Sequence, residues 1–141
     1  GTNFLNNILA KIEAKKAGAF EGIMLNWEGY VAEGTISNIF MVRKGVLYTP
    51  HADTGILEGV TRDLVLRLAK RKNVPVREVP LRPKGLSAAD ECFITNTTME
   101  IMPVTTIDRE PIGNGKPGPV TALLRQAYKK EVLACLKTQA T

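Results

Sequence analysis

The chain has 141 residues, with 19 Lys+Arg against 14 Asp+Glu for a formal charge of +5. Its 44% hydrophobic and 23% charged residues are those of one folded domain, able to bury roughly 68% of its unfolded surface, and exclude a disordered or fibrous chain. No apolar run nears the ~20 residues of a membrane helix; two cysteines without C-x-x-C spacing and the lone His51 argue against a disulfide scaffold or metal chemistry.

Residues 3–17 predict an amphipathic helix, with Asn3 as N-cap, Leu5, Ile8, Leu9 and Ile12 at helical spacing, and Gly18 as the stop. A helix opening this soon after Gly1, with no Met, reads as a segment of a longer protein. Residues 21–26 and 30–32 predict a hairpin around Trp27-Glu28-Gly29, and residues 38–43 a buried strand turned by Lys44-Gly45 into 46–48. A loop over 50–55 leads to a helix over 60–71 with Asn73 at its end. Residues 74–80 predict a short or edge strand because of Pro75 and Pro80. Ser87 is expected to cap a helical turn through Asp90, before buried strands at 92–95 and 101–107. A Gly- and Pro-rich loop over 113–119 precedes a final helix over 120–136. Strands outnumber helices, and hairpins mix with helical crossovers, so the expected architecture is a mixed α/β sheet with flanking helices.

The sequence pI near 9.4 raises the question of nucleic acid. Lys15-Lys16, Lys70-Arg71-Lys72 and Lys129-Lys130 each fall late in a predicted helix, where cations complement the dipole and face water. No aromatic residues interleave with them to stack on bases. A nucleic-acid partner is not expected, nor a membrane.

Three stretches have the composition of a binding site. In Gly55-Ile56-Leu57-Glu58-Gly59-Val60-Thr61-Arg62 a helix start offers N–H groups and a hydroxyl, either as an ordinary cap or as an anion site. In Glu33-Gly34-Thr35-Ile36-Ser37-Asn38 a carboxylate ends a strand, either facing solvent or aimed at a bound cation. Thr95-Asn96-Thr97-Thr98-Met99-Glu100 is either a polar turn or a second source of anion donors. Neither Ser37 nor Ser87 lies in a G-x-S-x-G elbow, which argues against a serine nucleophile. Two stretches able to hold phosphate and one able to pair a ring cation together fit pyridoxal 5′-phosphate.

Taken in order with Asn3-Phe4-Leu5-Asn6-Asn7, these stretches make the chain resemble the class IV (fold-type IV) pyridoxal-phosphate aminotransferases over about residues 3–128. That family includes branched-chain and D-amino-acid aminotransferases and aminodeoxychorismate lyase. The resemblance implies that residues 1–141 are the larger C-terminal, cofactor-binding domain, a mixed β-sheet pseudo-barrel flanked by helices. It implies that Glu33 pairs with the pyridinium nitrogen and that Val60, Thr61 and Thr97 grip the phosphate. Leu57 would press on the ring, Asn38 would belong to the cofactor site, and Thr98 would lie near the substrate carboxylate. It further implies amino-acid and 2-oxo-acid substrates, a homodimer completed by an N-terminal domain, and a cytoplasmic setting. The family's Schiff-base lysine would fall immediately before Gly1; Lys11, Lys15 and Lys16 do not match its place, so no catalytic residue is expected within the chain. By itself such a chain is expected to be inactive, and a catalytically silent binding or assembly fragment is the rival reading. Gly115-Lys116-Pro117-Gly118-Pro119-Val120-Thr121 resembles the branched-chain enzymes, whereas Asn96-Thr97-Thr98 is nearer the D-amino-acid enzymes.

Overall fold

The computed structural model describes residues 9–16, 19–26, 36–51, 56–96 and 100–140. Residues 36–43 show how the chain divides into layers. Ile39 and Met41 enter one apolar cluster with Cys92, Ile94, Met102 and Val104. Phe40 and Val42 enter another with Phe93, Leu47, Val65 and Leu68. This alternation is the period of a strand buried on both faces. The strand, β3 (Ile36–Arg43), follows β1 (Leu9–Lys16) and β2 (Ala19–Asn26). After it come β4 (Val46–Thr49), α1 (Ile56–Arg71), β5 (Val76–Glu78), α2 (Pro83–Ser87), β6 (Glu91–Asn96), β7 (Ile101–Ile107), β8 (Glu110–Pro111) and α3 (Pro119–Ala140).

The strands form one sheet in the order β2-β1-β7-β6-β3-β4-β5, with β8 also paired to β7. All pairs are antiparallel except β4 with β5, where α1 is the crossover. The expected mixed α/β sheet with flanking helices is present. Among the described residues its hydrogen-bonded path runs openly from β2 to β5, so no ladder closes it into a barrel. One face packs on α1 and α3 through Val65, Leu68, Leu124 and Tyr128. The other gathers Ile12, Ala14, Leu86, Ala89 and Ile112. Phe40 and Phe93, directly opposite in register, stack with centroids 4.7 Å apart.

Local chemistry sets the turns. Lys44 and Gly45 both have positive φ (51° and 77°), as a two-residue hairpin turn matching strand twist requires. The Lys44 N–H also donates to Asp90 Oδ2 at 2.7 Å. α1 ends on Asn73 with φ 60°; the Val74 N–H bonds the Ala69 carbonyl and the Asn73 N–H that of Lys70, which is a Schellman closure.

Several expectations are corrected. Residues 9–16 form a strand, not the second half of a helix over 3–17; residues 1–8 lie outside the described residues. Leu9 and Ile12 satisfy helical spacing, but Ile12 and Ala14 are also two apart, and both are fully buried around half-buried Glu13. Ladders to β2 and β7 satisfy the backbone on both sides, and that pairing overrides local helix propensity. The expected hairpin over 27–32 lies outside the described residues beyond Asn26. Ser87 ends α2 instead of starting it, because Pro83 pre-sets the helical φ at the first position. Lys15-Lys16 therefore end a strand, and Lys129-Lys130 sit mid-way along α3; only Lys70-Arg71-Lys72 keeps its place at a helix C-terminus.

Candidate cofactor site

The described parts of the three candidate stretches meet at one end of the sheet. β3 begins with Ile36 opposite Asn96, and Asn38 lies opposite Thr95 across a bulge. Thr95 in turn faces Ile101 on β7. Ile101, Glu100 and Tyr128 line one groove of about 340 Å³ with Arg125, Lys129 and Val132. Tyr128 stands beside Thr61 of α1, which closes the circuit from α1 through α3 to β6 and β3. Asn38 is half-buried there, Thr61 is 2% exposed and Val60 is exposed. Glu33, Thr97 and Thr98 lie outside the described residues, as does the side chain of Leu57.

α1 starts at Ile56, four residues earlier than the sequence suggests, because Ile56-Leu57-Glu58 extend it backwards. Val60 and Thr61 thus sit in its second turn. The N–H groups without intrahelical acceptors are those at the start of its first turn, ahead of Val60 and Thr61. This corrects the expectation that Val60 and Thr61 open the helix.

Thr61 and Tyr128 place two hydroxyls in an apolar layer. Burial pushes the Tyr128 phenol above its ordinary value, and the neighbouring Thr61 hydroxyl pulls it back. Among the described residues the phenol oxygen is nonetheless not aligned in a full hydrogen bond, and the Thr95 hydroxyl, wholly buried, has no partner. Buried hydroxyls are normally satisfied, so an orphan at the end of β6 is a place where an acceptor fits. The donor set at this end, hydroxyls and a helix N-terminus, suits a phosphate, with the cations Arg125 and Lys129 sharing the groove beside Glu100.

Two acids missed in the sequence shape the surroundings. Glu78 on β5 pairs with buried Arg62 at 2.8 Å and with His51 Nδ1 at 3.0 Å, and the Arg62 hydrogen bond holds its carboxyl below the usual value. Glu91, 5% exposed, accepts the N–H groups of Val120 and Thr121, so the Gly115–Thr121 stretch is a capped helix entry. The one sequence signal for Glu91 is an acid opening an otherwise apolar strand. Arg62 is a lone cation on the inner side of a helix, which needs the structure to find its partner. Among the described residues no three His, Cys, Asp or Glu side chains gather as a metal ion would need, and no helix is long and apolar enough to cross a membrane.

This fold and the stretches it joins define a class IV aminotransferase domain: the family profile "Amino-transferase class IV" matches residues 1–107, and the chain belongs to that family. Its relatives bear a narrower name. It is 47% identical over 127 residues to a putative branched-chain-amino-acid aminotransferase of Methanocaldococcus jannaschii, covering 90% of this chain and 44% of that protein. It is 42% identical over 128 residues to the branched-chain-amino-acid aminotransferase of Escherichia coli (strain K12), covering 91% and 41%. Among solved structures it resembles the branched-chain amino acid aminotransferase from Thermobaculum terrenum in its PLP (holo) form, with TM-score 0.65 and 45% identity over 78% of this chain and 36% of that one. The chain therefore spans about two fifths of the length of these relatives.

Proposed function

We propose that the chain is the cofactor-holding part of a pyridoxal-phosphate-dependent aminotransferase that moves an amino group between a branched-chain amino acid and a 2-oxo acid. The observation that carries this reading is the convergence of β3's start, β6's end and the first half of α1 at one end of the sheet, in a chain of this family. The branched-chain names of the relatives support the choice of substrate.

Bound there, pyridoxal phosphate supplies an electron-withdrawing ring that stabilises negative charge at the substrate α-carbon. Glu33 holds the proton on the ring nitrogen. Val60, Thr61 and Thr97 hold the phosphate, Leu57 supports the ring face, Asn38 braces the site, and Thr98 orients the substrate carboxylate. The lysine expected just before Gly1 moves the proton at the α-carbon. Because α1 begins at Ile56, Val60 and Thr61 can donate their N–H groups only if the first turn opens. A homodimer in the cytoplasm completes the reading, and the two free thiols, Cys92 and Cys135, suit a reducing compartment.

The test uses the longer protein. Borohydride reduction with cofactor followed by peptide mass should place a phosphopyridoxyl group on the lysine before Gly1; no modified lysine there overturns the reading. Amino transfer from L-leucine to 2-oxoglutarate is the expected activity. Transfer from D-alanine, or pyruvate release from aminodeoxychorismate, in its place would reassign the substrate. Transamination by the 141-residue chain alone would refute both the missing lysine and a silent fragment.

A further inference from the structure

Arg62 follows Thr61 in α1, yet its side chain joins a different part of the molecule. Its guanidinium is 6% exposed. The Nη2 atom lies 2.8 Å from Glu78 Oε1 and donates to the Pro50 carbonyl at 3.3 Å. The second Glu78 oxygen lies 3.0 Å from His51 Nδ1. Asp63, exposed beside it, is a distant 3.9 Å from Nη1. One arginine therefore ties together the end of β4, the second turn of α1 and the end of β5. Pro50 and Arg62 also stand on either side of the connection that leads into α1.

Apolar contacts such as those of Val65 and Leu68 bury a helix without fixing its rotation or its slide, because they have no direction. A charged, hydrogen-bonded pair does fix them. Stability alone does not account for the arrangement. A buried ion pair is often no better than apolar packing, and here Nε has no partner among the described residues.

We infer that Arg62 and Glu78 are positioning residues for the phosphate end of the proposed site, setting where Val60 and Thr61 stand against the β4–β5 edge. The inference rests on the cofactor reading above. Neither residue touches the cofactor; each acts through α1.

The experiment compares the longer protein, freed of cofactor, with its Glu78→Gln and Arg62→Lys variants. Calorimetry measures binding of pyridoxamine 5′-phosphate and of pyridoxamine, neither of which condenses with surface lysines. Amide exchange follows residues 59–62. The unaltered protein should prefer the phosphorylated ligand. Both variants should lose about tenfold of that preference, as loss of an outer partner typically costs a bound group, with pyridoxamine binding unchanged and faster exchange at 59–62. An unchanged preference overturns the inference, whatever exchange does. Equal weakening of both ligands also overturns it, since that marks a purely structural pair. No preference in the unaltered protein removes the cofactor reading and this inference with it, and the unaltered protein alone reveals that outcome. Should Arg62→Lys fail to fold, Glu78→Gln, at a side chain 38% exposed, decides by itself.

Discussion

Glu91 and Thr121 join two distant parts of the chain: Oε1 of Glu91 at the start of β6 accepts the Thr121 N–H of α3 at 2.7 Å, while Oε2 accepts that of Val120 at 3.2 Å. A carboxylate at a helix N-terminus meets both the unpaired donors and the positive end of the dipole. This cap needs room. A Cβ on Gly118 would collide with the Glu91 side chain, and one on Gly113 with the Asp90 carbonyl, where φ is already +57°. Glycine at 118 is what lets the acid reach the helix, and glycine at 113 lets the loop before it pass the Asp90 carbonyl.

Removing that cap should be costly. Glu91→Ala is expected to destabilise the chain by about 2–3 kcal/mol, since buried donors lose a charged acceptor. Glu91→Gln, which keeps one acceptor oxygen, should cost less. Gly118→Ala should behave like Glu91→Ala by pushing the carboxylate aside. Denaturant melts of the three variants check the order; equal stability of Glu91→Ala and the unaltered chain would refute the cap.

The two thiols should separate cleanly. Cys92 is buried, and burial pushes its thiol up to about 12, whereas Cys135 is exposed on α3. A chromogenic thiol reagent should label one cysteine at neutral pH and the second only in denaturant, with peptide mapping to assign them. The raised value also has a stability consequence. Above the ordinary thiol value of 9.0 the unfolded chain loses this proton first, so stability should fall as pH climbs from there toward 12.

Glu78 sets an acid limit. Its folded carboxyl lies below the ordinary 4.5, chiefly through the Arg62 hydrogen bond. A depressed carboxylate contributes stability above its unfolded value and loses it as pH falls through the folded one. Thermal melts from neutral to acid pH should therefore show a shallower acid decline in Glu78→Gln than in the unaltered chain. Parallel declines would mean that the ion pair does not couple to folding.

Thr95→Val tests the orphan hydroxyl. Valine keeps the shape and removes a buried oxygen that has no partner among the described residues, so the ligand-free chain should be as stable as before or about 1 kcal/mol more stable. If the hydroxyl serves the phosphate end, the same variant should weaken binding of pyridoxamine 5′-phosphate. A clear loss of stability without ligand would show that the oxygen already has a partner.

Much of this was readable from residue order. The β3–Lys44-Gly45–β4 hairpin, the buried β6 and β7, and the Asn73 stop announce themselves through alternation and turn chemistry, which are local. Residues 9–16 do not, because Leu9 and Ile12 fit a helical period while Ile12 and Ala14 fit a two-residue one, and the choice is made by β2 and β7. The two-residue β8 carries too little pattern to signal a strand, and exists as a pair to Thr106 and Ile107. At the site, the Val60-Thr61 and Asn38 stretches were visible as polar residues beside glycine and apolar runs. The Arg62–Glu78 pair was not, since sixteen positions separate partners that only the α1 crossover brings together.

The placement of β1 bears on how the protein behaves in a crowd. It covers the flank of β7 opposite β6, pairing at Val104, Thr106 and Ile107. A shortened version that starts after Lys16 would leave that flank as a bare row of peptide groups, ready to accept a strand from a neighbouring molecule. The strand thus shields β7 from strand exchange, and a trimmed protein is expected to run as larger species on a sizing column than the 141-residue chain does.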